Sequence, residues 1–506
     1  MEELNTSDFN ERRRTPEPCI IVIFGASGDL TRRKLMPALY NLFRNGGLPE
    51  RFSIVGVART PLDDASFREK ISRGLINTGA DLMGWAEFEQ HLHYRSVYYN
   101  DTASYHSLAM YLMELDLKNH TRGNRIFSLA IPPSLYETVA QRLGEAGLSN
   151  EDPGKGQWTR LVVEKPFGYD LSSAKDLNAA IGESFKEHQV YRIDHYMTKQ
   201  MVQNILVFRF ANAIFEPVWN SNFINHVEIN ANEILGVEHR AGYYERSGVL
   251  RDMFQNHMME LLAMVAAEQP SQISAGFLRD KKAEVLRSLR PFNLEQLESN
   301  LILGQYTAGE IEGRKVLGYR EETGVNSESR TPTYALVRLF VDNWRWQDVP
   351  FYVTSGKRLK QKITRIDIQF KSVPHRMFDN IFAGDINANR LTIGIYPREE
   401  IQLSFQSMRP SAEFGLRTGG LRFSFFEGAN GGKADGYEMA FSDVISGDQT
   451  LFWRQDGLEL SWGFLDPILD YCASHRDSAG KLHPYAAGTL GPQAAIDFLP
   501  LGSGLE

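Results

Sequence analysis

The sequence predicts an α/β chain of two domains: an N-terminal doubly wound domain, then an α+β domain with a large, mainly antiparallel sheet. Three observations lead there. Up to about residue 196, short continuous apolar runs alternate with segments long enough for crossover helices. Beyond about residue 330 the apolar residues alternate singly with polar ones, the pattern of strands with one solvated face. And 506 residues, at roughly 150 per domain, suffice for two or three cores.

Residues 1–17 are polar (Asn5, Ser7, Asp8, Arg12, Arg13, Arg14) and read as a flexible leader without the apolar stretch of a secretory signal. Ile20 to Phe24 is a continuous apolar strand, as expected where both faces are covered. Residues 52–57 form a second strand, 125–130 a third, 161–163 a fourth and 190–193 a fifth, which makes 18–196 the first domain. In the second domain, 197–506, a helix is expected over 198–212 and a strand over 226–229. A long helix is expected over 247–268, with Val249, Leu250, Met253, Phe254, Leu261, Leu262 and Val265 near 3.6 spacing. Alternating strands follow at 334–340, 366–370 and 391–395, and the Gly-, Ala- and Pro-rich stretch 485–506 reads as loop and tail. No internal repeat is visible.

Composition narrows the function. Lys+Arg 55 against Asp+Glu 63 gives a net charge of -8, unlike proteins that coat nucleic acid with a basic excess. Cys19 and Cys472 are the only cysteines, so neither a disulfide framework nor a cysteine metal cluster is available, which suits a reducing compartment. The apolar run from Leu261 to Ala267 is seven residues, far short of the ~20 that span a bilayer. A cytoplasmic protein with no membrane or nucleic-acid partner is expected.

Four clusters carry chemistry. Directly after the first strand comes Gly25-Ala26-Ser27-Gly28-Asp29-Leu30, where small residues let the backbone approach a pyrophosphate and a helix N-terminus points N–H groups at it. An ordinary glycine-containing turn is equally compatible with these residues alone. Arg59 closes the second strand, where an NAD enzyme usually carries an acid for the ribose and an Arg suits the 2′-phosphate of NADP. The alternatives there are a solvated surface arginine, with Asp63 or Asp64 as the acid. Glu164-Lys165-Pro166-Phe167-Gly168 follows the fourth strand, at the sheet end that faces a ligand crevice, so Lys165 can reach cofactor and substrate oxygens; the alternative is an exposed lysine before a stiff turn.

The third cluster is Arg192-Ile193-Asp194-His195-Tyr196-Met197-Thr198-Lys199, in which His195, Tyr196 and Lys199 can hold a phosphate; a polar strand-to-helix turn explains the density of groups poorly. In the fourth, Arg251 to His257, Asp252 and Asn256 share a helical face with His257 beside them. A histidine in an apolar helix is more often a core residue than a catalyst, but Asp194 is available to orient this one.

GASGDLTRRKLMPALYNLF, EKPFG, RIDHYMTK and RDMFQNH, in this order and spacing, resemble the glucose-6-phosphate dehydrogenase family from about residue 18 to near the C-terminus. The resemblance implies an N-terminal Rossmann domain binding NADP and a C-terminal domain for substrate binding and oligomerisation. It implies oxidation of glucose 6-phosphate at C1 to 6-phosphoglucono-1,5-lactone, the entry to the oxidative pentose phosphate pathway, in a homodimer or homotetramer without a metal. NAD would be a weaker alternative cofactor. His257 would be the general base and Asp194 its partner; His195, Tyr196 and Lys199 would bind the phosphate; Glu233, Asp252, Lys165 and Lys357, with Lys362, would complete the substrate site. Gly25, Ala26, Ser27, Gly28, Asp29, Leu30, Arg59 and Lys165 would bind the cofactor.

The chain departs from the family pattern at Met197-Thr198, where Leu-Gly is commoner, at Gln200 in place of Glu, and at Lys362 in place of Arg. A lysine there offers a point charge rather than a fork. Two rivals remain: a dehydrogenase of another sugar or sugar phosphate, and an inactive NADP-binding subunit. The second would be expected to lose His257, Asp194 or Lys199, and all three are present.

Overall fold

The computed structural model describes residues 16–375, 377, 386–410, 415–425, 436–474 and 482–500. Most of the expected leader, 1–15, and the end of the expected tail, 501–506, lie outside the described residues. Glu17, the last leader position, is tied down: its carboxylate accepts from the Trp158 indole N–H at 2.6 Å.

The chain divides into two compact units that interleave in sequence. One holds 1–165, 177–193 and 434–449; the other holds 166–176, 194–433 and 450–506. The sequence expects a single boundary at 196/197, and the chain passes between these two units several times. The family of folds is as expected.

In the first unit six strands form one sheet: β1 Cys19–Phe24, β2 Phe52–Ala58, β3 Leu92–Ser96, β4 Arg125–Leu129, β5 Thr159–Val163 and β6 Val190–Arg192. Their order is β3-β2-β1-β4-β5-β6, and every pairing is parallel. This is the doubly wound order, whose direction reverses between β1 and β4. All six residues of β1 are buried, which is why its sequence is an unbroken apolar run. β3 was not expected from the sequence. It is an edge strand carrying His93 and Arg95, so it shows no apolar run.

In the second unit β7 Ile224–Asn232, β8 Leu301–Thr307, β11 Tyr334–Phe340, β12 Pro350–Gly356, β13 Ile363–Phe370, β14 Arg390–Tyr396, β15 Glu400–Met408, β16 Leu416–Ser424 and β17 His483–Ala486 build a nine-stranded sheet; β9 Gly309–Ile311 and β10 Arg314–Val316 pair separately. The order is β16-β15-β14-β13-β7-β12-β11-β8-β17. Only β7 with β12 and β8 with β17 run parallel. A mainly antiparallel sheet was the expectation.

Two expectations need correcting. The long helix over 247–268 is not uniform: Gly248, at φ 56 and ψ -177, breaks the helix Ala241–Val249, a π-helical stretch Leu250–Met258 follows, and regular α-helix resumes over Met259–Ala266. Apolar spacing cannot distinguish an i→i+4 from an i→i+5 ladder over two turns. Nor is 485–506 all loop, because β17 pairs with β8 and Gln493–Phe498 is helical. Pro484 disguises this strand, and an edge strand can hold a proline.

Candidate active site

In the first unit the chain leaves β1 through a turn that only glycine can make. Gly25 sits at φ +84, and a Cβ there would lie 2.1 Å from the Ala130 carbonyl oxygen at the end of β4. The N–H groups of Gly25 and Ala26 donate to Val57 O at 2.8 and 3.1 Å, pinning the turn to β2. The Thr31 hydroxyl donates back to Gly25 O at 3.1 Å, and Lys70 Nζ donates to Ser27 O at 2.9 Å. The helix begins at Asp29, which pairs with Arg32 and Arg33 on the exposed side. Small residues, a close backbone and a helix start at the sheet's switch point fit a dinucleotide pyrophosphate.

Arg59 projects exposed from the end of β2, its guanidinium 5.8 Å from the Tyr99 ring centroid. The two acids weighed as its alternatives are engaged. Asp63 caps the helix Asp64–Asn77, accepting from Ser66 N at 2.8 Å, and this bond holds its carboxyl below the usual range. Asp64 accepts from Tyr94 N at 2.8 Å and lies 3.6 Å from His93. Glu164 and Lys165 follow β5. Burial pushes the Glu164 carboxyl up to about 7, against a hydrogen bond from Tyr437 and the charge of Lys165.

The second unit gathers the charged groups. The turn after β6 runs through Asp194 to Lys199, and the helix Gln200–Phe210 starts with Lys199 at its N-cap. Asp194 Oδ1 meets His257 Nδ1 at 2.5 Å, and both side chains are buried. An ionised carboxylate only accepts, so Nδ1 carries the proton and Nε2 is the basic nitrogen. Burial works to raise the Asp194 carboxyl, but the charge and hydrogen bond of His257, the charge of His195 and the Tyr196 N–H hold it well below the usual carboxylate range.

Tyr196 stacks on the His257 ring at 4.3 Å, His195 meets it edge-on at 4.6 Å, and Lys199 Nζ lies 3.8 Å from the Tyr196 centroid. Thr198 is buried, and its hydroxyl donates to His195 O at 3.1 Å, so this departure from the family pattern braces the turn.

Three further groups arrive on other elements. Glu233 and Lys357 directly follow the partnered residues Asn232 and Gly356 of the parallel strands β7 and β12, and they form an ion pair. Lys357 Nζ is also 4.0 Å from Asp252 Oδ2. Burial first, then the charges of Glu233, Asp194 and Asp252, raise the Tyr196 hydroxyl, while Thr364 bonds to it. The π-helical turn has a part in this: its wider ladder brings Asp252 and His257, five residues apart, to the same side, where a uniform α-helix favours Asn256.

Tyr243 was missed by the sequence. Its hydroxyl lies 3.4 Å from Asp252 Oδ1, and burial together with Asp252 pushes it up to about 12. No spacing rule links positions 243 and 252, since Gly248 breaks the helix between them. Lys362 is exposed, with its ammonium 4.4 Å from the Tyr396 centroid. Asp194, His195 and His257 place three ligand-type atoms within 4.8 Å of one another. In this set His257 Nδ1 already serves Asp194.

A doubly wound sheet with a glycine-dependent turn at its switch point, and a buried Asp–His dyad among carboxylates and lysines, define a dinucleotide-binding oxidoreductase. Models of the glucose-6-phosphate dehydrogenase NAD binding domain and C-terminal domain match residues 22–204 and 206–501. The chain belongs to the glucose-6-phosphate dehydrogenase family. It is 49% identical to a glucose-6-phosphate 1-dehydrogenase of Aggregatibacter actinomycetemcomitans, covering 95% of each chain, and 39% identical to one of Bacillus subtilis (strain 168), covering 95% and 96%. Among solved structures it is similar to a glucose-6-phosphate dehydrogenase in complex with its substrate glucose-6-phosphate, at TM-score 0.87 and 32% identity over 97% of this chain and 98% of that one.

Proposed function

We propose that this chain oxidises D-glucose 6-phosphate at C1 to 6-phospho-D-glucono-1,5-lactone with NADP, the first step of the oxidative pentose phosphate pathway. The observation that carries the reading is the buried 2.5 Å bond between Asp194 and His257 Nδ1, which presents Nε2 as a base. His257 removes the proton of the C1 hydroxyl, and Asp194 stabilises the imidazolium so formed. NADP supplies the hydride acceptor: the C1 hydrogen leaves with its electron pair as the C1–O bond becomes the lactone carbonyl. His195, Tyr196 and Lys199 hold the 6-phosphate beside the N-terminus of the helix Gln200–Phe210, where anions are favoured.

Glu233 and Asp252 accept from sugar hydroxyls, and Lys357 and Lys165 donate; Lys362 is a further cation for the substrate. Gly25, Ala26, Ser27, Gly28, Asp29 and Leu30 cradle the pyrophosphate, and Arg59 meets the 2′-phosphate, which leaves NAD as the weaker cofactor. Proton and hydride are both accounted for without a metal. Among the described residues no helix is long and apolar enough to cross a membrane. A cytoplasmic homodimer or homotetramer completes the proposal.

The test is a nicotinamide-reduction assay crossing glucose 6-phosphate, glucose and galactose 6-phosphate with NADP and NAD, with and without a chelator. Glucose 6-phosphate with NADP should give the highest kcat/KM, unchanged by chelation. Equal rates with free glucose or with galactose 6-phosphate would indicate another sugar dehydrogenase, and no reduction at all an inactive subunit.

A further inference from the structure

Both backbone groups of Lys357 are hydrogen-bonded within the protein. Its N–H donates to Thr333 O at 2.9 Å, and its carbonyl accepts from the Tyr485 hydroxyl at 2.7 Å. The same hydroxyl lies 3.1 Å from Thr333 Oγ1 and a longer 3.4 Å from Thr333 O. Tyr485 has one proton, and the short contact to Lys357 O takes it, so the Thr333 hydroxyl donates to Tyr485. Thr333 Oγ1 in turn accepts from Tyr306 N at 3.0 Å. The bonds therefore run in one direction, from Tyr306 N–H through Thr333 and Tyr485 to the Lys357 carbonyl. Thr333, Tyr306 and Tyr485 are all buried, so none of these links can be replaced by bulk water.

The surrounding backbone needs the support. Arg358 adopts φ 53, a left-handed conformation for a residue with a side chain, directly after Lys357. From one side the segment after β17 clasps it, with Gly488 N donating to Arg358 O and Lys360 N to Thr489 O, each at 2.8 Å. From the other side Glu233 N donates to Gly356 O at 2.9 Å and Leu359 N to Glu233 O at 3.0 Å. The Glu233–Lys357 ion pair is the side-chain end of this clasp.

We infer that Tyr485, on the C-terminal strand β17, is a positioning residue that aims the Lys357 ammonium at the substrate through the Lys357 carbonyl. The inference rests on the reading of Lys357 as a sugar ligand. Tyr485→Phe keeps the ring against Tyr306 and Tyr334 and removes only the hydroxyl.

The experiment compares Tyr485→Phe, Lys357→Gln and the double variant in the full-length enzyme, by steady-state kinetics and thermal melting. Tyr485→Phe should raise KM for glucose 6-phosphate roughly three- to tenfold, the size of one buried hydrogen bond, with KM for NADP unchanged. In the Lys357→Gln background the same change should add almost nothing, because the group it aims is gone. Thr333→Val, which removes the donor to Tyr485, should show the same signature more weakly. An equal rise in both KM values, no rise, or an undiminished effect in the Lys357→Gln background would overturn the inference while leaving Lys357 as a ligand. If Lys357→Gln itself left KM for glucose 6-phosphate unchanged, the ligand reading and the inference would fall together.

Discussion

The turn after β1 and the cluster around His257 are built in opposite ways. The turn is six consecutive residues, 25–30, hydrogen-bonded to Val57 O and passing so close to Ala130 that Gly25 has no room for a side chain. The cluster is drawn from 194–199, 233, 252–257 and 357, and it gathers side chains from buried (Asp194, Asp252, His257, Lys357) to exposed (His195) whose charges perturb one another. A backbone cradle tolerates changes of side chain but not of φ. A side-chain cluster tolerates shifts of backbone poorly and loses function with any ionisable member.

The largest effect should come from the cluster. His257→Asn keeps polarity and approximate size but cannot take the proton, so kcat should fall ~10²–10⁴-fold with glucose 6-phosphate binding largely kept. A kcat within a few-fold of the parent in steady-state assays would remove His257 as base. Next is the cradle at its one intolerant position. Gly25→Ala adds left-handed strain of roughly 1–2 kcal/mol to a Cβ placed 2.1 Å from Ala130 O, so NADP affinity should drop at least about thirtyfold. Titration of NADP against the variant, with glucose 6-phosphate binding as the control for folding, checks this; unchanged NADP affinity would show that the cofactor does not use this turn.

Arg59→Ala tests the side chain proposed to meet the 2′-phosphate. A charge-assisted contact to a 2′-phosphate is worth ~1.5–3 kcal/mol, so KM for NADP should rise about tenfold or more while KM for NAD barely moves. A retained NADP preference would return Arg59 to the surface and make Thr60, or a basic residue of 31–34, the next candidate. The smallest effect is on stability and depends on pH. Glu164 has its folded value raised from 4.5 to about 7 by burial, so its contribution to stability is fully present below 4.5 and is lost as pH rises through about 7. Glu164→Gln stays neutral and should therefore gain a few degrees of Tm relative to the parent at pH 8 but not at pH 5. Equal differences at the two pH values would contradict the buried acid.

Much of this contrast was legible in the residues and some was not. The apolar runs announced five of the six parallel strands because these strands are largely buried and mostly apolar. The strands β3 and β17 escaped because His93 and Arg95 interrupt the one and Pro484 the other, residues that an edge position admits. RIDHY with Lys199 could be read directly, since one turn carries all its members. Tyr243 and Tyr485 could not, since each reaches the site across a break in the chain: Gly248 in one case, the strand register in the other.

The sequence by itself determined the local devices, namely the glycine turn, the Arg at the end of β2 and the cluster at 194–199, because backbone conformation and nearest neighbours are set by residues within a few positions. Tertiary structure alone decided which distant charges became partners. The parallel register of β7 and β12 made Glu233 and Lys357 neighbours, and a π-helical turn carried Asp252 and His257 to one side of the helix. The packing of β17 delivered a tyrosine hydroxyl to the Lys357 backbone. These pairings depend on register and burial, which are properties of the whole sheet and are written in no single stretch of the chain.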